Sequence, residues 1–295
     1  MERRRFQRIY VEILNQCNLR CSFCPPTGRK PRIMSPEEFD RVLGEAHPYA
    51  NYVYLHVRGE PLMHPQLNEI LDLCEKWAFQ ANITTNGTLL PQRQALLLQA
   101  GALRQVNVSL HSFGGRKQAE RAYLDGVMEF AKAAVSAGKA VALRLWNMAG
   151  DDGLDRERDK NRVLLDAIDA AFGTGPVEDI LHGSRGIKIG EKLYLNHGVQ
   201  FQWPSMDLPE VGDRGFCMGG RRQLAVLADG TVVPCCLDAE GKIPLGNLFE
   251  QSFGDILASR RLRTMTEGFD RRRVEEPLCR RCSYRMRFGC RMRRE

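Results

Sequence analysis

The stretch Cys17-Asn-Leu-Arg-Cys21-Ser-Phe-Cys24 lies near the start of the chain and decides its fold and chemistry. The spacing of three residues and then two places three thiolates on one tight loop, where a single soft-metal centre can form. A structural zinc ion or a closed iron–sulfur cluster takes four protein ligands, whereas three ligands leave one metal position open. The loop therefore predicts a centre that binds a further molecule, unless a distant cysteine or histidine completes a zinc site.

Outward from this loop, strand-like and helix-like segments alternate. Residues 9–14 are rich in β-branched side chains and predict a strand that leads into the loop. The later predicted strands cover 51–57, 82–85, 105–110 and 140–146, and the predicted helices begin at 36 and cover 66–79, 91–100, 120–137 and 161–171. Short strands are also predicted over 187–189, 193–195 and 199–203. This succession of five βα units is typical of a parallel sheet with outer helices. A barrel-like α/β fold places its chemistry at the carboxyl ends of its strands.

Polar residues stand at the ends of these predicted strands. Gly59 and Glu60 end the second strand, Asn86 the third and Ser109 the fourth, and Arg144 lies in the fifth. Gly59 permits close approach of another backbone, and Glu60 supplies an anion. A buried arginine needs an anion, so Arg144 predicts a bound carboxylate or an internal Asp or Glu. An ordinary turn or a packed strand is the alternative interpretation of each.

A second cysteine set lies in the last third of the chain: Cys217, Cys235, Cys279 and Cys282. Residues 224–233 predict two strands around an Asp-Gly turn, and this hairpin brings Cys217 and Cys235 close. The Cys-x2-Cys pair completes four ligands, which give a closed site with a structural or redox role. Cys236 and Cys290 are left over, and either could replace one of the four.

The first cysteine loop resembles the cluster loop of the radical S-adenosylmethionine (SAM) enzymes, whose signature is Cys-x3-Cys-x2-Cys. The resemblance implies that Cys17, Cys21 and Cys24 hold a [4Fe–4S] cluster with SAM at its open iron. In that family the cluster donates an electron that cleaves SAM, and the 5′-deoxyadenosyl radical abstracts hydrogen from a substrate. The residues implied for SAM binding are Phe23, Gly59, Glu60, Asn86, Ser109 and Arg144.

The second cysteine set resembles the auxiliary-cluster segment called SPASM or, in its shorter form, twitch. The resemblance implies one auxiliary [4Fe–4S] cluster, because the seven cysteines of the full SPASM version are not all present; zinc is the alternative at this site. The predicted fold is α/β, a partial (β/α)6 TIM-like barrel over residues 1–210. A small C-terminal twitch-type cluster-binding extension, with an arginine-rich tail, is predicted over 211–295.

Composition and charge narrow the class of protein. No apolar run approaches the roughly 18 residues that cross a bilayer, and ten cysteines without a secretory signal favour metal ligation in a reducing cytosol. We therefore expect a cytoplasmic protein with no membrane partner. Residues 256–295 hold thirteen arginines against five acidic residues, which suits phosphate or carboxylate, although a solvated helix explains the same excess. Nucleic acid is disfavoured as a partner because few aromatic side chains are interleaved with these arginines.

The resemblance implies a radical SAM enzyme, an oxidoreductase or lyase, that acts on a small polar or phosphorylated substrate, with a nucleoside-like molecule among the options. The auxiliary cluster would aid electron transfer or substrate binding, and flavodoxin or ferredoxin would serve as reductant. A peptide- or protein-modifying maturase is one alternative; it is disfavoured because only sixteen residues precede Cys17 and the extra cysteines are lacking. A non-catalytic iron–sulfur or zinc-binding interaction module is another.

Overall fold

A computed structural model of the protein describes residues 6–112, 117–148, 158–175 and 186–292. The ten described strands, β1 to β10 in chain order, are Arg8–Val11, Tyr52–Tyr54, Gln80–Thr85, Leu103–Ser109, Ala140–Met148, Gly186–Gly190, Leu193–Val199, Gln223–Val226, Thr231–Val233 and Gly246–Asn247. The eight described α-helices, α1 to α8, are Pro36–Ala46, Leu67–Lys76, Leu90–Gln99, Lys117–Ser136, Arg158–Phe172, Phe253–Leu257, Arg260–Asp270 and Pro277–Arg280. Short 3-10 helices cover Pro61–Met63, Leu110–Ser112 and Ser283–Met292.

The chain divides into two compact units. The first comprises Met1–Gly59, Asp72–Gln80 and Phe201–Glu295, and the second comprises Glu60–Leu71 and Ala81–Gln200. The predicted domain boundary near residue 210 stays a prediction. Among the described helices, none is long and apolar enough to cross a membrane.

In the first unit the sheet runs in the order β10-β9-β8-β1-β2. β1 pairs in parallel with both β2 and β8, whereas β9 pairs antiparallel with β8 and β10. Ile9 and Val11 are buried on one face of β1, as expected for a strand at the centre of this order. The segment that carries the second cysteine set thus adds its strands directly to the strand that leads into the first cysteine loop.

In the second unit β3, β4, β5 and β7 are parallel neighbours, and β6 pairs antiparallel with β7 at the edge. These strands are buried on both faces: the register partners Val108 and Leu143 are buried on one face, and Asn107 and Ala142 on the other, as in parallel strands covered by helices. In neither unit do the described strands close into a ring.

The five predicted βα units are confirmed, and the capping of α1 shows why one helix begins where the sequence predicts. The Ser35 hydroxyl accepts a hydrogen bond from Glu38 N (3.2 Å), and the Glu38 carboxylate accepts one from Ser35 N (2.9 Å). This reciprocal pair satisfies two backbone donors at the helix start.

Two element predictions were wrong in extent. The strand predicted over 51–57 ends at Tyr54, because His56 N donates to Tyr54 O (2.9 Å) in a tight turn that interrupts the ladder. The stretch 199–203 was predicted as a separate short strand, but only Val199 is part of a strand, as the last residue of β7. The hairpin predicted over 224–233 is confirmed as β8 and β9.

Candidate active site

Asn15, which is 8% exposed, connects the two ends of the first cysteine loop. Its side-chain amide donates to Lys30 O (2.8 Å), and its side-chain oxygen accepts from Arg32 N (2.8 Å). The chain therefore leaves and re-enters the core at the same place, so the intervening residues form one loop. The sequence reasoning missed Asn15; its signal was a short amide side chain between the strand and Cys17.

The three cysteines of the loop present their thiols at the surface of the first unit. Cys17 and Cys24 are exposed, and Cys21 is half-buried, as is Phe23. The Leu19 N–H lies 3.4 Å from Cys17 Sγ, and Arg58 Nη2 lies 3.7 Å from Cys24 Sγ. Donors directed at sulfur stabilise thiolates, so this donor set fits an iron–sulfur cluster with thiolate ligands. The assignment of the three cysteines as ligands and of Phe23 to SAM stays a prediction.

Gly59 packs against the entrance of this loop. Its φ is +78°, and a Cβ atom there would lie 2.5 Å from Leu14 O and 2.8 Å from Gln16 O. Only glycine tolerates both the left-handed backbone and this approach. The close backbone contact predicted for Gly59 is therefore present, with the loop's own backbone as the neighbour; its contact with SAM stays a prediction.

A buried carboxylate beneath the loop was not foreseen from the sequence. Glu12 is 0% exposed, and its two oxygens accept hydrogen bonds from the Arg29 guanidinium. They also accept from Arg58 N (3.2 Å) and from Ala228 N (3.0 Å). A buried charge needs such pairing. The available signal was an acidic residue within an otherwise apolar strand.

In the second unit, Glu60 is held at the end of β3. It is 1% exposed, and its carboxylate accepts from Leu62 N (3.1 Å), the Thr85 hydroxyl (2.7 Å) and Asn86 N (2.7 Å). Burial raises the pKa of this carboxyl, and the three hydrogen bonds oppose that rise. A carboxylate has about four acceptor positions, so one remains for a ligand such as an ammonium group. That contact stays a prediction.

Asn86 has a local role in the turn after β3. Its side-chain oxygen accepts from Thr88 N (3.0 Å) and from the Thr88 hydroxyl (2.7 Å). Its backbone carbonyl accepts from the Tyr123 hydroxyl (2.9 Å). Asn86 therefore acts as a turn residue, as the alternative interpretation proposed, and its contact with SAM stays a prediction.

Ser109 and Arg144 lie side by side on β4 and β5, where they are register partners. The sequence suggested that Arg144 is buried, but it is half-buried. Strand alternation places its side chain on the face opposite to that of Leu143 and Leu145. Its guanidinium lies 3.8 Å from the centre of the Trp146 ring, a cation–π contact. A SAM contact of either residue stays a prediction.

A polar cluster surrounds this pair at the same strand ends. His111 Nδ1 lies 3.1 Å from Arg144 O, and Lys160 Nζ donates to His111 O (3.3 Å). Asn147 donates to the side-chain oxygen of Asn161 (2.9 Å), and the Nδ2 atom of Asn161 is buried and makes no hydrogen bond to any residue that the structure describes. We call His111, Arg144, Asn147, Lys160 and Asn161 the strand-end cluster.

The second cysteine set is gathered in the first unit. Burial raises the pKa of the Cys235 and Cys279 thiols well above their usual range, and further increases come from Cys217 beside both of them. Cys282 in turn interacts with Cys217 and Cys279. The four predicted ligands are thus electrostatic neighbours, which fits a site with four thiolates.

Gly219 lies between two of these cysteines. A Cβ atom at Gly219 would be 3.8 Å from Cys217 Sγ and 3.6 Å from Cys235 Cβ, and the Gly219 N–H lies 3.5 Å from Cys217 Sγ. Cys236 interacts electrostatically with Cys235, and the side chain of Cys290 lies outside the described residues. No group of three or more described His, Cys, Asp or Glu side chains is arranged to hold a single metal ion. The choice of ligands stays a prediction.

Comparison with known proteins identifies two regions of the chain. The family model of the radical SAM superfamily matches residues 11–162, and that of the SPASM iron–sulfur cluster-binding domain matches 217–283. A GTP 3′,8-cyclase of Aquifex aeolicus is 34% identical over 36% of this chain and 36% of its own length. A probable GTP 3′,8-cyclase of Aeropyrum pernix is 31% identical over 76% of this chain and 72% of its own length. The antilisterial bacteriocin subtilosin biosynthesis protein AlbA of Bacillus subtilis is 25% identical over 84% of this chain and 58% of its own length.

Among solved structures, BtrN in complex with AdoMet and 2-DOIA superposes with a TM-score of 0.60. The match covers 94% of this chain and 93% of BtrN at 20% identity, so it bears on the fold alone. The predicted α/β fold with an open sheet and a C-terminal cluster domain is confirmed. This chain is a radical SAM superfamily enzyme with a C-terminal SPASM domain, and its cofactors are SAM and [4Fe–4S] clusters.

Proposed function

We propose that this enzyme uses SAM to abstract hydrogen from a small polar or phosphorylated substrate, with nucleoside-like anions as the first class to test. The bound cofactors supply the radical chemistry. Cys17, Cys21 and Cys24 would hold the SAM-binding cluster, and Cys217, Cys235, Cys279 and Cys282 the auxiliary one. Phe23, Gly59, Glu60, Asn86, Ser109 and Arg144 remain the proposed SAM contacts.

The strand-end cluster is the observation that supports an anionic substrate. It combines two cations, Arg144 and Lys160, with a buried amide donor of Asn161 that makes no hydrogen bond within the described part of the chain. Charged donors bind phosphate or carboxylate through charge-assisted hydrogen bonds. The name of the GTP 3′,8-cyclase relatives is in accord with a substrate that carries phosphate groups.

The arginine-rich tail supports this substrate class less than its composition suggested. Arg261 pairs with Glu276 and Arg281 with Glu210. Arg285, 2% exposed, donates to three backbone carbonyls, among them Cys279 O (3.2 Å). These arginines therefore hold the segment around the second cysteine set together.

A peptide substrate is the second candidate, and the match to AlbA over most of this chain favours it. The auxiliary cluster would then bind the peptide or accept an electron. Membership of a family of enzymes leaves the non-catalytic interaction module without support.

The test begins with anaerobic reconstitution, an iron count and an assay of reductant-dependent 5′-deoxyadenosine release. Candidate nucleotides, sugar phosphates and peptides are then compared as stimulators of that release. We expect phosphorylated small molecules to stimulate it. Stimulation by peptides alone would contradict the proposal on substrate and leave the SAM chemistry intact.

Lys160→Met tests the strand-end cluster. It should raise KM for a phosphorylated substrate by about tenfold, the usual effect of one lost charged hydrogen bond, with little change in SAM cleavage without substrate. Lys192→Met is the matched control, since Lys192 is an exposed lysine of the same unit that also donates to a backbone carbonyl, Gly138 O (2.7 Å). An equal KM for both variants would show that the strand-end cluster does not bind the phosphorylated substrate.

A further inference from the structure

Arg58 lies between the first cysteine loop and the segment that follows Cys235 and Cys236. Its side chain is 8% exposed. One terminal nitrogen, Nη2, lies 3.7 Å from Cys24 Sγ and also donates to Pro25 O. The other, Nη1, lies 3.7 Å from Glu240 Oε1. All of these residues belong to the first unit.

Residues 239 and 240 hold the far side of the same loop. The Gly28 N–H donates to Glu240 Oε2 (3.1 Å), and Arg29 Nη1 donates to Ala239 O (2.8 Å). The loop is therefore fixed by a segment that lies a few residues beyond a predicted auxiliary ligand, Cys235.

The Arg58–Glu240 pair acts through charge rather than through a direct hydrogen bond. Nη1 of Arg58 and Oε1 of Glu240 are both buried atoms 3.7 Å apart, and neither makes a hydrogen bond among the described residues. The Arg58 side chain is 8% exposed and that of Glu240 30%, so water screens these two charges only in part and they interact more strongly than they would in bulk water. Cys24 Sγ, next to the same guanidinium, experiences the balance of the two charges.

We propose that Arg58 and Glu240 form a positioning pair that sets the reduction potential of the SAM-binding cluster through Cys24. The inference rests on the proposed ligation by Cys24. One-electron reduction adds a negative charge to the cluster, and no bond forms or breaks in that step. A cationic donor at a ligand sulfur stabilises the reduced form and raises the potential, whereas a nearby carboxylate lowers it.

The two charges therefore give opposite tests. In anaerobically reconstituted protein, dithionite titration followed by the electron paramagnetic resonance signal that changes on SAM addition reports the potential of this cluster. Arg58→Met should lower the equilibrium constant for reduction of the cluster at least tenfold, which corresponds to a decrease of about 59 mV in the potential for one electron. Glu240→Gln should shift the potential in the opposite direction, and Arg58→Lys should recover at least half of the Arg58→Met loss.

Arg32→Met is the matched control. Arg32 is an arginine of the same unit that pairs with Glu38 (2.6 Å) and donates to Ala228 O (2.7 Å). It should leave the potential unchanged. Shifts of the same sign in Arg58→Met and Glu240→Gln, or no shift in either at wild-type iron content, would overturn the proposal. If Arg58→Met takes up no iron, the sign of the Glu240→Gln shift decides.

Two further measurements separate other causes of failure. Wild-type iron content in Cys24→Ala would refute the ligation rather than the pair. In metal-free protein, trypsin cleavage at the exposed Arg20 reports how firmly the loop is held. Faster cleavage in Arg58→Met with an unchanged potential in the loaded protein would assign Arg58 a structural role only and overturn the proposal.

Discussion

The N-terminal cysteine loop and the C-terminal cysteine set lie in the same unit but are built in opposite ways. The loop takes its three cysteines from eight consecutive residues and leaves two of them exposed. The second set takes its cysteines from distant segments, and burial raises the pKa of every one of those four thiols. All four cysteines of the second set are half-buried. A local, more exposed set suits a centre that admits a ligand, and a distributed, half-buried set suits a centre that is closed by the fold.

Single cysteine substitutions should show the difference between the two cysteine regions with the largest effect on activity. Cys21→Ala should abolish SAM cleavage, because a ligand of the open centre is lost. Cys279→Ala should retain part of the cleavage and lose product formation, because only the second cysteine set is damaged. Release of 5′-deoxyadenosine and product, each measured against iron content, checks both. A wild-type product yield from Cys279→Ala would mean that the second cysteine set has no part in turnover.

The buried ion pair beneath the loop should be the most sensitive structural element. Glu12→Gln leaves the Arg29 guanidinium with a neutral partner at a site that is fully buried. We expect a loss of about 3–5 kcal/mol of unfolding free energy, measured by denaturant unfolding of the metal-free protein. Arg32→Met, which breaks the half-exposed pair with Glu38, is the control and should cost far less. Equal losses would show that the Glu12 site is accessible to water.

Two glycines allow the regions to be disturbed one at a time. A Cβ atom at Gly59 would meet the backbone of the first loop. Gly230 lies in the turn of the hairpin between Cys217 and Cys235, and a Cβ atom there would lie 2.5 Å from the side chain of Asn247. Alanine at either position should cost about 1–3 kcal/mol through backbone strain and overlap. Iron counts should fall at the first site in Gly59→Ala and at the second in Gly230→Ala. Loss of both clusters in each variant would show that the two regions assemble as one.

Alkylation of metal-free protein should give the smallest but most direct contrast. Iodoacetamide should modify the exposed Cys17 and Cys24 at least tenfold faster than the half-buried Cys235, because burial raises the pKa of the Cys235 thiol well above its usual range and lowers its thiolate fraction. Cys74, which is fully buried, is the internal standard for the slowest reaction. Mass spectrometry of a time course measures all four. Similar rates at Cys24 and Cys235 would mean that the second set opens when metal is absent.

The sequence predicted what depends on local spacing. The cysteine loop, the capped start of α1 and the Asp-Gly hairpin follow from residue types at fixed offsets, and each is present. It did not predict contacts between residues far apart in the chain. Glu12 and Ala228 are 216 residues apart, and no local pattern indicates that they meet. Exposure of Arg144 was misjudged because apolar neighbours on a strand point to the other face.

The parallel pairing of β1 with β8 has a consequence for the order of events during synthesis. Glu12 cannot receive its hydrogen bond from Ala228 until the ribosome has added a further 216 residues. At typical elongation rates this takes on the order of ten to forty seconds. The nascent cysteine loop therefore lacks this support until Ala228 has been synthesised, and iron and sulfide that arrive earlier meet a loop whose buried carboxylate is not yet fully hydrogen-bonded.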